Sequence, residues 1–167
     1  MKRTYSLVII TLLISFLIYL FYRTEKTLVN ELVLLFVSAD AFAQLRSGIT
    51  QAVPLGEPIV YSLPGGLWVF CFTMVSKRLH VSITNHNIPL VALPIIFAAG
   101  LEACQLFHFT NGTFDVWDIG FYATFWWVAH SGFQARDDRP HVLSLSTPRG
   151  FIFLAIFLSV YLAHVNQ

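Results

Sequence analysis

The sequence predicts an all-α fold: an integral membrane helical bundle, one membrane domain over residues 1–167, with about five transmembrane helices and an interfacial amphipathic helix. Three observations lead to it. Hydrophobic residues make up 56% of the chain, aromatic ones 16% and charged ones only 11%, at a mean hydropathy of +0.68. Soluble domains rarely have that balance. Five apolar runs then approach the about 20 residues a spanning helix needs, or slightly fewer with snorkelling flanks. Finally, Lys and Arg fall unevenly among the connections, as they do in multi-pass proteins.

The first span is read at residues 5–22, preceded by Lys2 and Arg3 and stopped by Arg23. A secretory signal has a similar basic start, but this apolar run is long and no small-residue cleavage site follows it, so the segment is read as a retained helix. Residues 27–46 are too polar to span. Leu28, Leu32, Leu35, Phe36 and Ala39 share one side at helical spacing, which fits an interfacial helix or a surface helix packed on the bundle. The second span, 63–80, begins at "SLPGGLWVFCFTMV" and stops at Lys77 and Arg78. Pro64 suits a first helical turn, Gly65 and Gly66 allow close backbone approach to the third span, and Trp68 is placed near the interface. The third span, 88–107, has Asn87 as a cap, Pro89 in its first turn and Pro94 as an interior bend. The fourth, 118–134, is rich in Trp and Tyr, and the fifth, 148–165, follows a Thr147 cap. With the N-terminus inside, seven of the ten basic residues are cytoplasmic, and Arg23, Lys26 and Arg46 remain outside. The 108–117 connection carries no basic residue and therefore faces outward.

Several function classes drop out. A formal charge of +1 without a basic run argues against nucleic acid. Cys71 and Cys104 lie in apolar spans at different depths, which disfavours a disulfide. No P-loop, dinucleotide fingerprint, G-x-S-x-G, H-E-x-x-H or cysteine metal spacing occurs, so no cofactor is expected. There is no internal repeat or domain linker. Asn111-Gly112-Thr113 reads as a glycosylation sequon, but its closeness to the bilayer argues against use.

What remains is "GLEACQLFHFTNGTFDVWDIGFY", residues 100–122, which holds Glu102, Asp115 and Asp118 with no Lys or Arg between them. Glu102 lies about 7–8 Å below the outer end of its helix at about 1.5 Å per residue, where a carboxylate needs a partner or a hydrated cleft. Gln105, at i+3, shares its face and can hydrogen-bond it, and Phe109 continues that face to the surface. Asp115 and Asp118 either cap the fourth helix as N-cap and N3 acid or serve a site. His108 reads as an interface histidine before it reads as a ligand, and His130 lies too far along its helix to join the group. Tyr61, Trp68, Trp117, Trp126 and Trp127 read first as anchors and packing. Since the second span also starts on the outer side, Gly65, Gly66 and Trp68 join Glu102, Gln105, Asp115 and Asp118 as the ligand-binding set. Glu102 is the candidate acid or base, and Asp115 and Asp118 are candidate metal ligands. Lacking a cationic neighbour, such a cluster is expected to hold a proton or recruit a cation.

"LPGGLWVFCFT", followed about thirty residues later by that acidic stretch, resembles the VanZ-like membrane proteins, whose pattern is a glutamate and glutamine on one helix and an F-D-x-x-D step opening the next. Glu102, Gln105, Phe114, Asp115 and Asp118 match it, over roughly residues 60–130. Gly112 and Thr113 stand where many members carry an arginine, and Tyr122 and Ala123 where they carry an asparagine with glycines. The resemblance implies a small polytopic cell-envelope protein of the bacterial inner (plasma) membrane, in a family linked to glycopeptide (teicoplanin) resistance. Its partners would be membrane lipids or a lipid-linked or peptidoglycan-related molecule at the outer leaflet. An intramembrane enzyme acting on a lipid headgroup, or a structural subunit packed against a partner membrane protein, are the alternatives.

Overall fold

A computed structural model describes residues 2–23, 30, 33–77, 79–83, 86–110, 112–132, 141–142, 151 and 154–155. The chain is mostly helical there. Helix α1 runs Lys2–Tyr22, α2 Ala39–Ala52, α3 Glu57–Tyr61, α4 Leu63–Ser76, α5 Leu93–Leu106 and α6 Val116–Gly132. Among the described residues, two helical stretches are long and apolar enough to cross a membrane, Thr4–Tyr22 and Glu57–Ser76, and Leu90–Leu106 is a shorter apolar helix. The expected fifth span at 148–165 and its Thr147 cap lie almost wholly outside the described residues, as do Lys26, Arg78, Arg136, Arg139 and Arg149.

Helix α4 is apolar all round, and such a helix is stable only when surrounded on every side. From Gly66 through Met74 every residue is buried, with Val69, Cys71, Phe72 and Thr73 fully enclosed. Around it pack α1 through Val8 and Leu12, α5 through Phe97 and Ala98, and α6 through Tyr122, Phe125, Trp126 and Ala129. Trp68 is 4% exposed, its ring 5.1 Å from Phe72 and 6.0 Å from Phe97. It is a core residue, contrary to the expected interface position, because the helix begins earlier than its "LPGG". The preceding α3 extends the apolar stretch by a further turn and meets α4 at the buried Ser62. Pro64 occupies the first turn of α4, as expected.

Helix α1 is the opposite case. Val8, Ile18 and Leu20 are buried, whereas Ile9, Ile10, Leu13, Ile14, Phe16 and Leu17 are exposed. Those six side chains form an apolar flank with no covering element among the described residues, too large to be scattered surface residues.

The expected 27–46 helix is interrupted: Asn30, Val33 and Leu34 are helical, a turn at residues 35–37 carries the strongly exposed Leu35 and Phe36, and α2 begins after Ser38 with Asp40 in its first turn. Leu28 and Leu32 lie outside the described residues. Phe42 alone of the α2 side chains is buried, 6.4 Å from Phe21. Arg46 Nε donates to the Phe21 carbonyl at 2.9 Å and Tyr22 Oη to the Val53 carbonyl at 2.6 Å. A guanidinium on the last turn of α1 satisfies an unpaired carbonyl and suits the negative end of the helix dipole.

A small sheet replaces the start of the expected third span. Strand β1, Leu79–Ile83, pairs antiparallel with β2, His86–Pro89, placing Val81 opposite Ile88, and parallel with β3, His141–Val142. Val81, Ile83 and Ile88 are β-branched and favour the extended backbone, and Pro89 ends the ladder because it has no N–H to donate. Asn87 and Pro89 are thus strand residues. Pro94 stands in the first turn of α5, after a 3-10 turn at Leu90–Ala92, and bends nothing. Trp126 Nε1 donates to the Val91 carbonyl at 3.0 Å, tying this turn to α6.

Candidate functional site

The end of α5 and the start of α6 build the site. At the end of α5, the Phe109 N–H donates to the Cys104 carbonyl at 2.8 Å and the His108 N–H to the Gln105 carbonyl at 3.0 Å. With His108 at a φ of 60°, this is the paired-bond C-terminal cap usually built on glycine. The chain reverses there. Gly112, at a φ of 118°, brings the loop against Gln105: a Cβ at this position would lie 2.7 Å from Gln105 Nε2. Asp115 then opens α6, its Oδ1 accepting from the Trp117 N–H at 2.9 Å. That is N-cap geometry, and Asp118 stands at N3.

These turns, with the ends of α1, α3 and α4, enclose a cleft of about 570 Å³, within the usual range for small-ligand sites. Of the residues expected to act together, Glu102, Gln105, Asp115, Asp118 and Gly65 line it. Gly66 and Trp68 do not: Gly66 faces Phe121 and Phe125, and Trp68 is in the core. The glycines do permit close approach, but to α6 rather than to the third span. A Cβ on Gly65 would meet Tyr122 Cε1 at 2.7 Å, and one on Gly66 would meet Phe125 Cδ2 at 2.7 Å.

Glu102 is 2% exposed. Its Oε1 accepts from Tyr122 Oη at 3.2 Å, whereas Oε2 is buried with no hydrogen-bond partner. The partner is therefore Tyr122 instead of the expected Gln105, whose side chain is taken up under the Gly112 turn. Asp118 lies beside Ser62 and close to the Glu102 carboxyl, which the Asp115 backbone also approaches, although neither makes a hydrogen bond of good geometry to Oε2. Among the described residues, no three His, Cys, Asp or Glu side chains are arranged to hold a metal ion. His108 makes a local contact from Nδ1 to the Leu106 carbonyl at 3.2 Å, and His130 stacks on Trp126 at 5.1 Å, away from the cleft.

Arg23 is the residue that sequence reasoning missed. It follows the last residue of α1, lines the cleft and acts electrostatically on Asp118. Its guanidinium lies 4.4 Å from the ring centre of Tyr19 and 5.5 Å from that of Tyr61, a cation–π clamp. Its Nε is buried without a hydrogen-bond partner. The acidic cluster thus has a cationic neighbour after all, from a helix almost eighty residues away in the chain. A signal was available: Arg23 ends the first span on the same side of the membrane as Glu102 in the charge-derived topology. Tyr122, four residues after Asp118, likewise shares that residue's face. No family model matches the chain, and neither a curated protein nor a solved structure matches it.

Proposed function

We propose that the chain is a multi-pass, VanZ-like protein of the bacterial inner membrane, N-terminus cytoplasmic, whose outer cleft receives the headgroup of a lipid or lipid-linked envelope molecule. The observation that carries this reading is the cleft itself. Charged and aromatic side chains line a space of about 570 Å³ at one end of apolar helices, and a carboxylate inside it is 2% exposed. A buried ionisable group at the end of apolar helices is costly, so it marks a site by default. The exposed apolar flank of α1 supports the membrane setting, because lipid is the solvent that such a face tolerates.

The test is expression in a glycopeptide-sensitive bacterium at matched protein levels. Wild type should shift teicoplanin susceptibility, and Glu102→Gln and Arg23→Ala should abolish the shift while folding normally. Equal shifts from all three proteins would remove the cleft from the function.

The enzyme reading draws on one specific feature: Glu102 accepts from the Tyr122 hydroxyl through Oε1 while its own Oε2 makes no hydrogen bond, so one carboxyl oxygen is held and the other is left to take or give a proton. Headgroup turnover by the purified protein, lost in Glu102→Gln, would favour it over simple binding.

A further inference from the structure

The cleft presents two unmet hydrogen-bonding demands of opposite sense. Glu102 Oε2 is an acceptor without a donor, on a side chain 2% exposed. Arg23 Nε is a donor without an acceptor. Buried polar atoms are almost always satisfied, and both orphans belong to side chains that line the cleft, so they point to what fills it. The charge count points the same way. Among the described residues, one guanidinium faces Glu57, Glu102, Asp115 and Asp118 around a single space, so a simple anion would meet net repulsion there. A bare divalent ion lacks a three-ligand group among the described residues.

We infer that the cleft selects a zwitterionic headgroup of the phosphoethanolamine type, with a primary ammonium donating to Glu102 Oε2 and a phosphate accepting from Arg23 Nε. This rests on the headgroup-binding reading above and sharpens it.

The ammonium must be primary or nearly so. Glu102 Oε2 needs an N–H, and a primary ammonium offers three donors whereas a trimethylammonium offers none. A quaternary ammonium would instead call for an open aromatic cage. Here the rings of Tyr19 and Tyr61 are already covered by the Arg23 guanidinium. At the other end, a guanidinium held by two rings has a fixed orientation and meets a phosphate through charge-assisted bonds. The same clamp keeps the cation from collapsing onto Glu102, which would cancel both demands internally.

The experiment is native mass spectrometry of the full-length protein in detergent, titrated with short-chain phosphatidylethanolamine, its N-methyl, N,N-dimethyl and trimethyl (phosphatidylcholine) derivatives, phosphatidylglycerol and free phosphoethanolamine. Phosphatidylethanolamine should bind at least tenfold tighter than phosphatidylcholine and phosphatidylglycerol, with affinity falling along the methylation series. Glu102→Gln should erase the preference for ethanolamine over choline. Arg23→Ala should weaken phosphatidylethanolamine and phosphatidylglycerol together. Because the methylation series varies the ligand alone, it decides the matter even where a variant does not fold. Free phosphoethanolamine binding as tightly as the lipid would make the ligand a soluble zwitterion. Equal binding of phosphatidylethanolamine and phosphatidylcholine would overturn the ammonium assignment and leave headgroup binding standing, whereas no binding of any headgroup would overturn both.

Discussion

Gly65→Ala should destabilise the protein, although alanine is the better helix former. A Cβ at position 65 would lie 2.7 Å from Tyr122 Cε1 and 3.1 Å from Tyr122 Oη. Tyr122 is a core side chain, only 8% exposed, and cannot swing aside. Overpacking of this kind costs about 1–3 kcal/mol. Displacing the ring also stretches the 3.2 Å bond from Tyr122 Oη to Glu102 Oε1. Leaving that buried acceptor unmade costs about 1–3 kcal/mol more. Against this, replacing a helical glycine by alanine gains about 1 kcal/mol. The net loss is about 1–5 kcal/mol, and its middle value of about 3 corresponds to a Tm lower by about 6–12 °C at about 2–4 °C per kcal/mol. Gly66→Ala meets the Phe125 ring and the Phe121 Cβ, so its cost lacks the hydrogen-bond share. Gly100 and Gly120 have open space where a Cβ would stand, so alanine there should raise stability by about 1 kcal/mol. Thermal unfolding followed by intrinsic fluorescence in one fixed detergent measures all four variants. In a Tyr122→Phe background the Gly65→Ala penalty should shrink by about 1–3 kcal/mol, since the hydroxyl is already gone. A Gly65→Ala protein melting at or above the Gly120→Ala protein would refute the close contact between α4 and α6.

Further outcomes follow from the turns and the topology. Asp115→Ala should lower stability by about 1 kcal/mol through loss of the cap on the Trp117 N–H, while Asp115→Asn, an equally good cap, should hold it in the same melting assay. His108→Val should cost about 1 kcal/mol or more, because a β-branched residue resists the positive φ there, whereas His108→Gly should be tolerated. In a Cys104→Ser background, cysteines at Ser47 and Thr113 should react with an impermeant thiol reagent added outside intact cells, and one at Asp138 should not. Reversed labelling would invert the orientation and take the cleft off the outer face.

The local parts of the site were legible in the sequence. Asp115 and Asp118 carry the spacing of a helix start, and a cap is decided by residues next to one another, so the structure reproduces it. Glu102 stood out because an acid in an apolar helix has no local explanation. The Lys2–Tyr22 helix was equally plain from its apolar run between basic flanks. Other elements were misread. Leu79–Ile83 and His86–Pro89 form a sheet in which Leu79 and His80 also pair with His141 and Val142, a pairing no local window contains. Pro89 and Pro94 were displaced in role by that sheet, since the helix can only begin once the strand has ended.

By itself the sequence determined an apolar helical chain, the first helix, the start of α6 and the isolated carboxylate, because each is governed by composition or by contacts within a few residues. Only the tertiary structure decided that Glu102 bonds Tyr122 and not Gln105, that Gly65 and Gly66 lie against α6, and that Arg23 joins the acids. The physical reason is that helical periodicity states which side of a helix is apolar but not which neighbour covers it. That choice is made when α4 becomes the buried centre, and the fit of Tyr122 over Gly65 and of the Arg23 guanidinium over Tyr19 and Tyr61 exists only after the helices have met.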